Sequence, residues 1–212
     1  MDAVLFDLDG TLLDSSEGVL DSFYSVVDKL ELPHIPQKEV KKKIGSPVQN
    51  WFKEFFRLDN NEAQYATDLF REDTLINGAK KATVYSGVYD LFKILKKKQM
   101  KIAVATNKRE DCAKALLDNF GLANYCDIIH GTDNKGKLKK VDIIEWCIKD
   151  LKIERENIVL VGDTIYDAQG AYSAGISFIG VTYGVGFKCK AEKERFPSIG
   201  MIDEILDIME LL

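Results

Sequence analysis

Two carboxylates, Asp7 and Asp9, stand two residues apart directly after an apolar run, in a stretch that reads Ala-Val-Leu-Phe-Asp-Leu-Asp-Gly-Thr-Leu-Leu from Ala3 to Leu13. Side chains two apart on an extended segment point the same way, so both acids face one site while Phe6 and Leu8 face away. Like charges at the tip of a buried strand repel and are costly to desolvate, so they call for a compensating cation. Gly10 permits a sharp turn and Thr11 adds a hydroxyl beside them. The chemistry implied is that of a metal-assisted carboxylate site. Asp-x-Asp-Gly also serves as ordinary loop punctuation, so the remainder of the chain has to supply the context.

The elements that position these acids follow from hydrophobic periodicity. Ala3 to Phe6 reads as a strand buried on both faces. After Asp14 the period becomes helical, with Val19, Leu20, Phe23, Val26, Val27 and Leu30, and Asp14 with Glu17 has the spacing of a capping box. Pro33 and Pro36 close that helix. A short basic helix is expected from Lys38 to Ile44, stopped by Gly45 and Pro47. Val48, Trp51, Phe52, Phe55 and Phe56, then Ala63, Ala66, Leu69 and Phe70, form apolar stripes that read as core.

Beyond Ala79 the texture alternates. Helices carrying Val88 to Leu95, Arg109 to Asn119, Val141 to Leu151 and Tyr166 to Ala174 separate strands at Ile102–Ala105, near Asp127–His130, at Ile158–Val161 and at Ile176–Gly180. Such βα repetition predicts an α/β fold, a Rossmann-like parallel sheet core with helices on both faces. The helical block interrupts the first βα unit, so residues 1–14 and 82–212 are expected to form the core and residues 15–81 an inserted small α-helical cap. Ile202 to Leu212 reads as a final amphipathic helix.

Ligands of open parallel sheets sit beyond the carboxyl ends of the strands. Strand one ends in Asp7 and Asp9. The strand Ile102–Ala105 ends in Thr106 and Asn107, and Ile158–Val161 ends in Gly-Asp-Thr-Ile-Tyr-Asp from Gly162 to Asp167. Four acids, a hydroxyl and an amide thus converge on one rim. Lys135, Lys137, Lys139 and Lys140 lie just before the helix that starts near Val141.

In this ordered set the chain resembles the haloacid dehalogenase superfamily of aspartyl-phosphate phosphotransferases, and within it the phosphoglycolate-phosphatase-like members with a helical cap. Asp7 to Thr11 matches the first motif, Thr106 the second, and Gly162-Asp163 with Asp167 the fourth. The resemblance implies a lysine at the third, and Lys140 occupies the place directly before the helix, although the proline that often follows is absent. It further implies Asp7 as nucleophile, Asp9 as general acid and base, and Mg²⁺ held by Asp7, the backbone carbonyl of Asp9 and Asp163. Asp167 is implied to act from behind the metal or the lysine, and Thr106, Asn107 and Lys140 to bind phosphate.

In the cap, Lys43, Gly45 and Ser46 are candidate substrate contacts, since Lys41 to Pro47 looks like the Gly-Pro-containing loop of phosphoglycolate-type phosphatases. A basic run on a short helix is more often a solvated face. The expected activity is hydrolysis of small organic phosphate monoesters. The alternatives are a sugar-phosphate mutase like β-phosphoglucomutase and a non-catalytic phosphate-ligand binder.

Composition bounds the rest. The 212 residues carry a net charge of -5, with 46% hydrophobic and 30% charged residues. That balance fits a globular protein and argues against nucleic-acid binding, which needs an excess of cations. No apolar run reaches membrane-spanning length. The N-terminus shows no secretory n-region, h-region or cleavage site. Four cysteines, Cys112, Cys126, Cys147 and Cys189, are scattered without a Cys-x-x-Cys pair. The scattered thiols fit a reducing cytoplasm, and with the resemblance above a monomer or homodimer acting on a small-molecule phosphate ester is expected.

Overall fold

Four apolar residues in a row can be buried only by a layer on each face, and β1 (Ala3–Phe6) receives both. Val4 and Phe6 enter one apolar cluster, and Ala3 and Leu5 enter the other. The computed structural model describes residues 1–135, 137–189 and 197–212. The elements after β1 are β2 (Leu13–Asp14), α1 (Ser16–Lys29), α2 (Gln37–Lys41), α3 (Val48–Phe56), α4 (Asn60–Ile76), β3 (Thr83–Val84) and α5 (Val88–Lys97). They are followed by β4 (Lys101–Arg109), α6 (Glu110–Asn119), β5 (Ile128–Thr132), α7 (Lys140–Leu151), β6 (Ile158–Gly162), α8 (Ile165–Ala174), β7 (Ser177–Val181) and β8 (Gly200–Ile202).

The main sheet has the order β5-β4-β1-β6-β7-β8, and every ladder in it is parallel. Phe6 is level with Val104 on one side and Val161 on the other. The ends of β1, β4 and β6 therefore lie next to one another, which puts Asp7, Thr106 and Asp163 on one edge. Helices α5 and α6 pack on one face, and α7 and α8 on the other.

Between β2 and β3 the chain builds a helical layer with its own core. Phe23 of α1 sits among Trp51, Phe52, Phe55 and Phe56 of α3, with ring centroids 5.5 Å apart for the stacked pair with Phe52. Asp59 starts α4 by accepting from the backbone N–H groups of Asn61 and Glu62, while Glu62 accepts from the Asp59 N–H. The two crossings into this layer are joined by the antiparallel pairs Leu13 with Val84 and Asp14 with Thr83.

Several local expectations are corrected. No capping box forms between Asp14 and Glu17; Asp14 instead accepts from the Ser16 N–H and hydroxyl, and Glu17 pairs with Lys81. The basic helix is confined to Gln37–Lys41, one residue before Lys42 makes the C-cap. The C-terminal segment is divided into strand β8 and a 3-10 turn over Ile205–Glu210. Among the described residues, no helix is long and apolar enough to cross a membrane.

Candidate active site

Asp7 continues β1 by one ladder bond, its N–H donating to the Val161 carbonyl at 2.9 Å. Its carboxylate is buried and accepts from Lys140 Nζ at 2.5 Å. Lys140 opens α7 and reaches Asp167 Oδ1 at 2.6 Å as well. Of the four lysines before α7, Lys140 is the one buried in the site, while the Lys139 N–H donates to Asp142 and helps start the helix. Asp167 is fixed by its place in the first turn of α8, where its Oδ2 accepts from the Thr164 N–H and hydroxyl at 3.0 and 2.7 Å.

Asp163, at the end of β6, is held from the far side. Its Oδ2 accepts from the N–H groups of Val185 and Gly186 at 2.8 and 3.0 Å. Gly10, with φ +90°, presses its backbone so close that a Cβ there would stand 2.4 Å from Asp163 Oδ2. Only glycine meets both the dihedral and the contact. One carboxylate oxygen from each of Asp7, Asp163 and Asp167 lies within 4.8 Å of the others.

Asp9 lines the same cavity as Asp7, but its carboxylate engages other partners. Ser15 Oγ donates to Oδ1 at 2.5 Å and Lys108 Nζ to Oδ2 at 2.8 Å. The carboxylate of Asp9 is thus outside the three-acid cluster.

Burial and crowding leave their mark on these groups. Burial pushes the Asp7 carboxyl up to about 7; the Lys140 charge pulls it back, and the charges of Asp167 and Asp9 raise it further. Burial, then the charges of Asp167 and Asp7, push Asp163 up to about 8 against the pull of the Gly186 and Val185 N–H groups. For Lys140 burial opposes the ammonium, yet Asp167 and Asp7 outweigh it and hold it above the ordinary lysine range. The donors are all oxygen, anionic and unwilling to stay charged without help, which is the chemistry that suits a hard divalent cation.

The remaining expected residues meet around this cluster. Thr106 is buried at the end of the regular part of β4, where its hydroxyl accepts from the Lys108 N–H at 3.2 Å. The strand does not stop there, as the sequence implied, but passes a bulge and runs to Arg109. Asn107 turns its amide toward the helical layer and donates to the Gly45 carbonyl at 3.0 Å. Gly45 in turn, with φ +91°, lies against Thr164, whose Cγ2 would be 2.7 Å from a Cβ at that position.

Gly45 and Ser46 line the cavity. Ser46 is occupied locally, donating to the Lys43 carbonyl and accepting from the Trp51 indole. Lys43 is directed to Glu54 and over the Phe55 ring, away from the acids. Three cations that sequence reasoning did not select also line the cavity: Arg71, Lys108 and Arg109. Lys108 and Arg109 directly follow the Thr106-Asn107 pair, which was an available signal. Arg71 lies on α4, and its place depends on how that helix docks.

A parallel α/β sheet with a buried carboxylate cluster at the carboxyl edge and a helical layer above it defines a recognisable class of protein. The chain belongs to the haloacid dehalogenase-like hydrolase family, which it matches over residues 4–181. It is 30% identical over 184 residues to the tyrosine-protein kinase PtkA of Mycobacterium tuberculosis, covering 86% of this chain and 62% of that protein. The chain thus spans under two thirds of that relative's length. A phosphoglycolate phosphatase of Aquifex aeolicus is 32% identical over 178 residues, or 82% of each protein. The crystal structure of a predicted phosphatase from Clostridium acetobutylicum superposes with a TM-score of 0.91 at 32% identity, covering 99% of this chain and 96% of that one.

Proposed function

We propose that this protein is a Mg²⁺-dependent phosphatase of small organic phosphate monoesters, with phosphoglycolate or a similarly compact acid or sugar phosphate as substrate. The observation that carries this function is the buried cluster in which Lys140 bridges Asp7 and Asp167 beside Asp163. Asp7, Asp163 and the backbone carbonyl of Asp9 would hold the metal, whose positive charge would let a phosphate approach carboxylates that otherwise repel it.

An oxygen of Asp7 attacks phosphorus as the bond to the leaving oxygen breaks, giving an aspartyl phosphate. Asp9 gives its proton to the departing oxygen, and in the second step takes one from the water that attacks the phosphorus and restores Asp7. Lys140, the Thr106 hydroxyl and nearby backbone N–H groups bind the transferring oxygens, the electrostatic contribution on which phosphoryl transfer chiefly depends. Asp167 fixes the ammonium of Lys140, and Asn107 joins the phosphate side to the helical layer. Residues 15–81 act as the cap that excludes bulk water. The enzyme works as a cytoplasmic monomer or homodimer.

The test is phosphate release from phosphoglycolate, sugar phosphates, nucleotides and an aryl phosphate, with Mg²⁺ and with chelator, scoring isomerisation alongside. Metal-dependent release is expected, and Asp7→Asn should lower it by at least about a thousandfold, because an amide is a poor nucleophile. Full activity in Asp7→Asn would sink the mechanism, and isomerisation without release would move the protein to the mutases.

A further inference from the structure

Three cations stand on the wall of the cavity facing Asp7 and Asp9, and two of them are neutralised within the protein. Lys108 pairs with Asp9 at 2.8 Å. Arg109 makes a two-pronged contact with Asp111 at 2.5 and 2.8 Å. Arg71 differs. It is 8% exposed, and among the described residues its guanidinium donates only to the carbonyls of Asn134 and Asp133, at 2.7 and 3.4 Å. Among the described residues the carboxylate that pairs with it, that of Asp68, is 3.7 Å away and also accepts from Gln64 at 2.9 Å. Neutral carbonyls satisfy hydrogen bonds, but with one long ion pair they only partly compensate a buried positive charge.

The surroundings sharpen that charge. Phe70, Trp51 and Ile44 share the wall with Arg71, and an apolar, water-poor setting strengthens electrostatic attraction. Burial, then the neighbouring Arg109 charge, push the guanidinium below its ordinary range, more than Asp68 and Asp133 restore. Arginine presents five donors in a planar fork, of which the two carbonyls use two.

Resting on the phosphatase function proposed above, we propose that Arg71 is a specificity-determining residue that binds a second anionic group on the leaving half of the substrate. The cavity then selects acidic phosphate esters over neutral sugar phosphates. The second anion is a carboxylate or a second phosphate, either of which the guanidinium fork accepts.

The test compares kcat/KM for three esters of similar size: phosphoglycolate, 1,2-ethanediol bisphosphate and 2-hydroxyethyl phosphate, which ends in a neutral hydroxyl. One or both acidic esters should exceed the neutral one by about a hundredfold, and the pair identifies which anion is preferred. In Arg71→Met that ratio should fall to within about threefold of one, mainly through KM, and Arg71→Lys should restore part of it. Thermal melts confirm that both variants fold.

Equal loss on all three esters would reduce Arg71 to a clasp between α4 and residues 133–134, and absence of any preference in the natural protein would equally overturn the proposal. Binding supplies a readout free of turnover. Phosphonoacetate should bind the metal-loaded protein more tightly than 2-hydroxyethylphosphonate, and Arg71→Met should remove the difference. If no ester is hydrolysed but this discrimination in binding stands, the phosphatase function fails and the anion subsite survives; if binding does not discriminate, the subsite fails whatever the turnover.

Discussion

At the scale of single residues, the site is built against its own stability. Asp163 is completely buried and close to Asp7 and Asp167, an arrangement that only a cation makes comfortable. A carboxyl whose pKa rises from 3.8 to about 8 on folding binds its proton more tightly in the folded state. The folded protein then carries more protons than the unfolded chain between those two values, so its stability falls as pH rises through that window. Asp7, raised to about 7 by burial, adds to the same trend over a narrower range. Asp163→Asn keeps an acceptor for the Val185 and Gly186 N–H groups and removes the charge. In chelator at pH 8 this variant should be more stable than the natural protein by on the order of 2 kcal/mol in urea melts. The advantage should shrink steadily as pH falls, vanish only below about pH 4, and reverse when Mg²⁺ is added at pH 8. A variant less stable than the natural protein in chelator at pH 8 would contradict the cost assigned to these acids.

At the scale of elements, the strand ends matter more than the helices between them, and Asp127 illustrates how they are fastened. Its N–H donates to the Ile102 carbonyl, while its carboxylate accepts from the Ile102 N–H at 2.9 Å, Lys96 Nζ at 2.6 Å and Lys101 Nζ at 2.9 Å. One side chain thereby ties α5, β4 and the entry to β5. Partial burial opposes its charge, but the Ile102 N–H and the two lysines prevail and hold it near 2 instead of 3.8. Stability from a depressed carboxyl is present above the higher value and is lost as pH falls through the lower one. Asp127→Asn should cost about 1 kcal/mol at pH 7, after allowance for solvent screening of an exposed group. The gap should close between pH 4 and 2, and a gap that stays constant across that range would refute the account. Asp127 was legible in the sequence only as the start of a strand.

The same holds more widely. β1, β4, β6 and their terminal acids could be read because a buried strand must be apolar and its ligands must follow it. β2, β3 and β8 span two or three residues, too short for any period, and exist through their partners. Arg71 was hidden because a charged residue beside Phe70 on an amphipathic helix looks solvated until the helix is docked.

At the scale of the molecule, the helical layer and the sheet have separate apolar cores: one around Phe23, Trp51 and Phe52, the others on the two faces of the sheet. They meet through polar and backbone contacts, Asn107 with Gly45, Arg71 and Gln64 with Asn134, through Val185, which follows β7 and packs against the helical core, and through the two-residue pairing of β2 with β3. Cores joined by so few apolar side chains need not open together. We propose that residues 15–81 form a cap with its own cooperative unit, able to loosen while the sheet remains folded. Phe23 is completely buried and touches four rings of α3, so Phe23→Ala should destabilise its surroundings by about 3 kcal/mol. Native-state hydrogen exchange should show that loss in the amides of α1, α3 and α4, with β1, β4 and β6 changed by less than about 0.5 kcal/mol. An equal loss in both sets would mean that the cap and the sheet unfold as one body, and cap motion would then cost the whole fold. A loss confined to the helices means that the helical layer can open without disturbing the acids beneath it.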